Sequence, residues 1–298
     1  MMNHMRVFLQ TMGCVALLFT GFSVDANQGV HSMPAPPQLG KDKYDFLPKK
    51  EDRNLMEALE NLSWVRVTPH SKRVAYVLAT PWCGYCHTLY NKLDTVEDIE
   101  VRWILVGPKS SFDKNMVQLA AIKRSKNVLD NVYKERRPMD EPNQDKDKAE
   151  IALDLQTIAG NALAQEYKKR GWRFGYPSVI IASTNGKIYA RSYSSFEALV
   201  QFIEPVTTAQ DFKPLVSRII DAKVTPEKFR TKTLYAKKDT LILSAPGEQA
   251  IVLDILKEDT GHNSSSKLTI NGEEWYAINM FKDGQVGPAY VKGTDVKF

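Results

Sequence analysis

Two cysteines at the junction of a strand and a helix constrain this chain more than any other feature. Cys83 and Cys86 frame the run Thr80-Pro81-Trp82-Cys83-Gly84-Tyr85-Cys86-His87. The apolar stretch Val74 to Ala79 leads into it and reads as a buried strand, and His87 to Leu93 leads out in a helical pattern. A C-x-x-C in that setting is a redox motif by preference. The first N–H groups of a helix lack intrahelical partners and carry a partial positive charge, so they favour a thiolate. Cys83 is therefore the expected attacking sulfur, and Cys86, one turn further on, the expected resolving thiol. Gly84 and Tyr85 lie between the thiols, where they would tune the pair, and His87 is expected on the helix surface beside them, with a modest tuning effect.

The first 26 residues read as a secretory leader. Arg6 makes a positive start, Val7 to Val24 is mostly apolar, and Val24-Asp25-Ala26 sets compact residues at a cleavage site after Ala26. An uncleaved membrane anchor is the other reading of that run. Cys14 precedes most of the apolar region, which argues against a lipidated cysteine. Loss of the leader removes Arg6 and Asp25 and leaves the net charge at +5, a modest excess that gives no ground for nucleic-acid binding. The remaining chain keeps two of the three cysteines. A secreted protein stabilised by disulfides would carry more, so the pair reads as chemical rather than structural.

Composition then divides the chain. Residues 27–50 hold Pro34, Pro36, Pro37 and Pro48 and read as a linker. Residues 51–69 carry a short helix through Leu55, Leu59 and Leu62. Residues 70–206 alternate strand and helix. Val101 to Val106 is a strand, and Lys114 to about Arg136 and Ala149 to Arg170 are helices around a charged loop. Val179 to Ala182 and Lys187 to Tyr193 form a hairpin about Thr184-Asn185-Gly186, and Phe196 to Ile203 is a closing helix. Residues 207–227 read as a connecting helix. Residues 228–298 hold short β-prone runs separated by Ala245-Pro246-Gly247, Asn271-Gly272 and Asp283-Gly284, which predict a small all-β barrel.

Gly175-Tyr176-Pro177, just before the hairpin, is the second chemical element. A proline there is a candidate cis peptide, whose loop would face the thiols and pair with an extended substrate. Together, Cys83-Gly84-Tyr85-Cys86-His87, the helical insertion and Gly175-Tyr176-Pro177 resemble the catalytic domain of periplasmic disulfide isomerases of the DsbC/DsbG type. The resemblance covers about residues 51–205. It implies an α/β thioredoxin-like fold with Cys83 as nucleophile, Cys86 as resolving thiol and Pro177 in cis; no cofactor or metal is expected. The helix at Leu55 to Leu62 looks like that family's linker helix. Val77 stands where thioredoxins carry a buried acid, which fits the isomerase-like group. Tyr176 replaces a smaller residue, and the family's dimerisation domain has no room in residues 27–50, so a monomer is expected. The last domain is similar to bacterial SH3 modules through Glu274-Trp275-Tyr276-Ala277-Ile278 and Gly284-Gln285-Val286-Gly287, with Tyr290-Val291 near the place of their second tryptophan.

The expected function is thiol–disulfide exchange on secreted or envelope proteins in the periplasm. Its partners would be disulfide-bearing clients and a redox partner in the membrane or periplasm, and the C-terminal domain would allow peripheral envelope contact. A scaffold role in an envelope secretion or conjugation assembly is the alternative from another class. Cys83-x-x-Cys86-His87 also satisfies the c-type haem motif, with His87 as axial ligand. Zinc is weaker, because only scattered histidines accompany the two thiols. Lys114, Lys123, Arg124, Lys126, Lys134, Arg136 and Arg137 read as a solvated basic face or a contact for an acidic partner. Trp172, Phe174 and Tyr176 read as core or as an apolar lip for unfolded clients.

Overall fold

The strand Val74–Ala79 is apolar on both faces, so it needs cover on both sides, and it lies at the centre of a five-stranded sheet. This computed structural model describes residues 43–135, 137, 145–192, 200–207, 213–282 and 285–298. In chain order the sheet comprises β1 (Val65–Arg66), β2 (Val74–Ala79), β3 (Glu100–Leu105), β4 (Ser178–Ser183) and β5 (Lys187–Ser192), arranged β1-β3-β2-β4-β5. β2 runs parallel to β3, with Val74 opposite Glu100 and Ala79 opposite Leu105. It runs antiparallel to β4, with Val77 opposite Val179. The β4–β5 hairpin turns at Gly186, whose positive φ of 72° suits a residue without a Cβ.

The period-2 geometry of β2 splits the core. Ala75, Val77 and Ala79 face the layer that holds Cys83, Cys86 and Leu89. Val74, Tyr76 and Leu78 face the layer under α1 (Lys50–Asn61) and the 24-residue helix α5 (Lys146–Lys169). α2 (Gly84–Lys92) and α3 (Ser111–Lys123) lie on the thiol side. α5 approaches the end of β3 closely at Gly160, where a Cβ would meet the Val106 side chain at 3.3 Å.

The insertion is not one helix from Lys114 to Arg136. Arg124 breaks it in the left-handed region at φ 50°, and its Nε–H donates to the Trp64 carbonyl at 3.0 Å. Ser125 then caps α4 (Lys126–Asp130), which runs into a π-helical turn over Asn131–Glu135. Part of the basic face is engaged within the chain. Lys126 and Lys134 both bind Asp94, at 3.2 and 2.7 Å, and Arg124 lies over the Trp64 ring.

Two readings of the leading segments change. Tyr44 and Leu47 are buried in the core, so the stretch read as linker is anchored before Lys50. α1 is no free linker helix either, because Leu55, Met56 and Leu59 pack under the sheet with α5. Arg102, wholly buried on β3, fixes this corner. It donates to Glu100 at 2.6 Å, to Glu60 of α1 at 3.2 Å and to the Tyr76 hydroxyl at 3.0 Å, and it stacks on Trp64. Burial alone would push Glu100 up, but Arg102, Arg66 and His70 outweigh it and hold its carboxyl below the usual range. A carboxylate depressed in the folded state stabilises above its unfolded value, about 4.3, and loses that contribution as pH falls through the folded value. Arg102→Ala removes the buried partner shared by two acids, leaving Glu100 with only the more exposed Arg66 and His70 and Glu60 with Lys43, and should cost up to about 3–5 kcal/mol. It should also move the acid unfolding midpoint upward. Chemical denaturation at pH 7 and an acid titration followed by circular dichroism check both.

The C-terminal region is an all-β sheet. Helix α6 (Leu215–Asp221) precedes it, shorter than the connecting helix expected from the sequence, and residues 208–212 are not among those described. The sheet comprises β6 (Val224–Ala236), β7 (Thr240–Leu243), β8 (Val252–Leu256), β9 (Gly261–Ile270), β10 (Glu273–Lys282), β11 (Gln285–Lys292) and β12 (Val296–Lys297). Its order is β12-β6-β9-β10-β11-β7-β8, and among the described residues no pairing joins the two ends. The expected closed barrel is therefore an open sheet. The reason lies in β6, a long polar strand that pairs along β9 and occupies the place read as the end of a helix. The described residues form a single compact unit. Trp275, Tyr290, Leu243 and Leu268 of this sheet, with Ile251 just before β8, share one buried cluster with Ile151, Leu155 and Ile158 of α5 and Ile219 of α6. Among the described residues no helix is long and apolar enough to cross a membrane. The expected leader, the helix from Phe196 as far as residue 199, and the Asp283-Gly284 turn lie outside the described residues.

Candidate functional site: a buried thiol pair

Cys83 is the N-cap residue of α2, in an extended conformation with φ −84° and ψ 114°. Its Sγ accepts from the Cys86 backbone N–H at 3.4 Å, so the sulfur itself caps the helix. On the other side the Cys83 Sγ–H donates to the Tyr176 carbonyl at 3.4 Å. The Tyr176–Pro177 bond is cis. The expected proline loop and the thiol pair are thus brought together across 93 residues of sequence. Cys83 keeps 7% of its surface exposed and Cys86 none. Burial pushes the Cys86 thiol far above the ordinary thiol range, and the Cys83 sulfur beside it adds to the shift. A backbone hydrogen bond from Thr80 offsets only part.

Aromatic rings surround the pair. Trp82, just before Cys83, is 41% exposed, and Tyr85, between the two thiols, is 69% exposed. Trp82 packs edge-on to Tyr176 at 6.0 Å, and Tyr176 packs against Phe174 at 5.1 Å. Phe174 meets Tyr167, which meets Trp172, so the predicted cluster is one chain of edge-to-face contacts. Burial, and then the neighbouring thiols, push the Tyr176 hydroxyl up to about 12. Gly175 lies one turn before β4, with its carbonyl accepting from the Ser178 hydroxyl.

His87 differs from its expected place on the helix surface. Its Nδ1 lies 3.1 Å from the Tyr133 carbonyl and its Nε2 2.9 Å from the Pro81 carbonyl. It therefore ties the active-site turn to the insertion and positions the motif rather than facing the thiols. Tyr133 was not legible as a site residue. It is buried on the π-helical turn, stacks on Tyr90, donates to the Thr80 carbonyl at 3.1 Å and accepts from Trp103 at 3.2 Å. Its only sequence signal is an aromatic residue in a charged stretch, and the π turn that aims it is invisible at that level. Gly107, at φ 64°, is a second omission. A Cβ there would lie 3.1 Å from Thr80 and 3.5 Å from the Tyr176 hydroxyl, so only glycine lets the loop after β3 close on the site. Among the described residues no group of acids, histidines and cysteines could hold a metal ion.

Residues 61–207 match the family description of a thioredoxin-like domain. The chain contains a thioredoxin-like domain. α1 lies almost wholly before the matched span, and the C-terminal sheet lies after it. Among solved structures, a periplasmic thioredoxin-like protein from Salmonella enterica serovar Typhimurium is 13% identical over 51% of this chain and 97% of its own, with a TM-score of 0.33. A disulfide interchange protein from Neisseria gonorrhoeae is 16% identical over 48% of this chain and 95% of its own, with a TM-score of 0.29. Ly7917, solved with the hydrolyzing product of MDP, is 12% identical over 41% of this chain, with a TM-score of 0.21. The match spans 47% of Ly7917, about half its length. No curated protein matches the chain.

Proposed function

We propose that this thioredoxin-like chain exchanges disulfides in secreted or envelope proteins of the periplasm. The observation that carries the reading is the placement of one slightly exposed sulfur. Cys83 Sγ stands at a helix start, against the Tyr176 carbonyl, with a wholly buried second thiol behind it. The Cys83 thiolate attacks one sulfur of a client disulfide, forming a mixed disulfide and releasing the other client sulfur as a thiolate. Cys86 then attacks Cys83, so that the client leaves reduced and Cys83–Cys86 is oxidised. Alternatively a client thiolate attacks its own half of the mixed disulfide, which rearranges the client and regenerates Cys83 with no net electron transfer.

The burial of Cys86 favours the second course, isomerisation, because the resolving thiol ionises reluctantly. Val77, fully buried where a thioredoxin would hold an acid, supplies no base beneath it. The match to a thioredoxin-like domain agrees with the reading in kind, as does the expected leader. The haem reading fits poorly. Cys86 has no exposed surface for a thioether, and both nitrogens of His87 lie against backbone carbonyls. An SH3-like role for the C-terminal sheet, and a monomeric state, remain part of this proposal. Trp275 and Tyr290, two of the aromatic residues of that resemblance, are used in packing on α5.

The test uses the reduced chain and a fluorescent disulfide peptide, with acid quenching and mass mapping. The label should appear on Cys83 and not on Cys86. Its release by Cys86 should quicken as pH rises from 7 to 9, by about tenfold per unit, because the thiolate fraction grows in that proportion below a raised value. Label on Cys86, or a release rate flat with pH, would contradict the assigned roles.

A further inference from the structure

We propose that Lys109 makes this site selective for clients that carry an acidic residue beside the reacting cysteine. The inference rests on the exchange reading above and names its substrate class. Cys83 is slightly exposed; exposed Trp82 and Tyr85 are its near neighbours in the chain, Tyr176 meets its sulfur, and the loop after β3 is tied to Trp82 through the Gly107 carbonyl. Within this set of side chains only that of Lys109, on the loop, carries a charge.

Lys109 is held from both ends. Its backbone N–H donates to the Asp113 carboxylate at 3.0 Å, and the same carboxylate takes the Ser110 N–H at 2.9 Å in a capping box at the start of α3. Its ammonium lies 3.4 Å from the centre of the Trp82 ring, on the residue next to the nucleophile. Trp82 is fixed in turn, since its indole N–H donates to the Gly107 carbonyl at 2.6 Å and its ring packs on Tyr176. The cation is therefore placed in advance beside the residue next to the thiol rather than left on a freely moving stem. Asp113 does not compete for the client, because it is only 5% exposed and turned to backbone N–H groups. Trp82 and Lys109 together present an apolar face with a positive edge. That surface suits an extended segment in which an apolar or aromatic residue and a carboxylate flank the cysteine.

The step itself is unchanged. The Cys83–client S–S bond forms, the client S–S bond breaks, and the departing thiolate takes a proton from solvent. Lys109 acts on encounter and on orientation of the segment, and touches no reacting atom.

The experiment compares two disulfide peptides identical except for Glu or Lys next to the cysteine. Each is turned over by the full chain, by Lys109→Gln and by Lys109→Arg, at low and high salt. The ratio of the two rates within one protein does not depend on how much of that protein is folded. For the parent chain the Glu peptide should be faster by about threefold to tenfold, as exposed charge contacts of opposite sign allow. The ratio should fall towards one with Lys109→Gln and in high salt, and Lys109→Arg should restore it. Equal rates for the parent chain, or a preference that survives Lys109→Gln, overturn the role of Lys109 and leave the exchange reading standing. Failure of the parent chain to turn over either peptide overturns both.

Discussion

Cys83→Ser should remove disulfide exchange altogether, while Cys86→Ser should leave the first half of the reaction intact and accumulate a client adduct. The asymmetry follows from exposure. The sulfur of Cys83 is reachable and lies between the start of α2 and the Tyr176 carbonyl, so a serine hydroxyl in its place keeps the cap but cannot form a disulfide. Cys86 is enclosed, and its role begins only once the mixed disulfide exists. Reductase assays with a disulfide peptide and refolding of a scrambled disulfide protein should both read background for Cys83→Ser. Cys86→Ser should lose net reduction, retain part of the rearrangement, and show the adduct on a non-reducing gel. If Cys83→Ser rearranged disulfides like the parent chain, the thiol pair would not be the working centre. A scaffold role would then be the better account.

A chain stopped at Asp221 should fail to hold its thioredoxin-like domain together. The C-terminal region contributes Leu243, Ile251, Leu268, Trp275 and Tyr290 to the same buried cluster as the inner faces of α5 and α6. Gly247 lies so close to α6 that a Cβ would meet Leu215 at 2.9 Å. A fully buried side chain of this size contributes roughly 1.5–3 kcal/mol, and the whole stability of a domain is about 5–15 kcal/mol. Loss of five such contacts, with the apolar face of α5 left in water, is comparable to the total. The truncated chain should precipitate or melt without a cooperative transition. In the full chain, Trp275→Ala should lower one shared transition rather than a separate C-terminal one. Calorimetry distinguishes these outcomes. A truncated chain that melts as sharply as the parent, with parent activity on a small peptide, would show that the sheet is an appended arm and not part of the catalytic fold.

The thiol motif, the central strand and the proline loop were legible because each is written locally. β2 spans Val74–Ala79 as its run of apolar residues predicts, and the hairpin at Gly186 is carried by its own turn residues. What could not be read depends on distant partners. Arg102 sits in an apolar strand pattern and is accepted there because Glu100 beside it, Tyr76 on β2 and Glu60, 42 residues earlier, all reach it. β6 shows no alternation of apolar and polar residues, since most of it is exposed, and its strand character comes from the register with β9. Lys109 joins the site through a loop and Tyr133 through a π-helical turn whose paths no local pattern encodes, and His87 turns inward between the carbonyls of Pro81 and of Tyr133 in the insertion. Tyr44 and Leu47 looked like linker because proline-rich sequence surrounds them, yet both are buried.

The central claim is that Cys83 and Cys86 cycle between dithiol and disulfide while acting on clients in the envelope. Thiol trapping of intact cells tests it most directly. Cells are quenched in acid, free thiols are capped with a mass-tagged maleimide, and the Cys83–Cys86 state is read on gels with and without a mild reductant or oxidant in the medium. The account predicts a pair that shifts between the two forms with those treatments, together with mixed disulfides to other proteins that vanish in Cys83→Ser. A pair locked in one form under every condition, with no Cys83-dependent adducts, would contradict it.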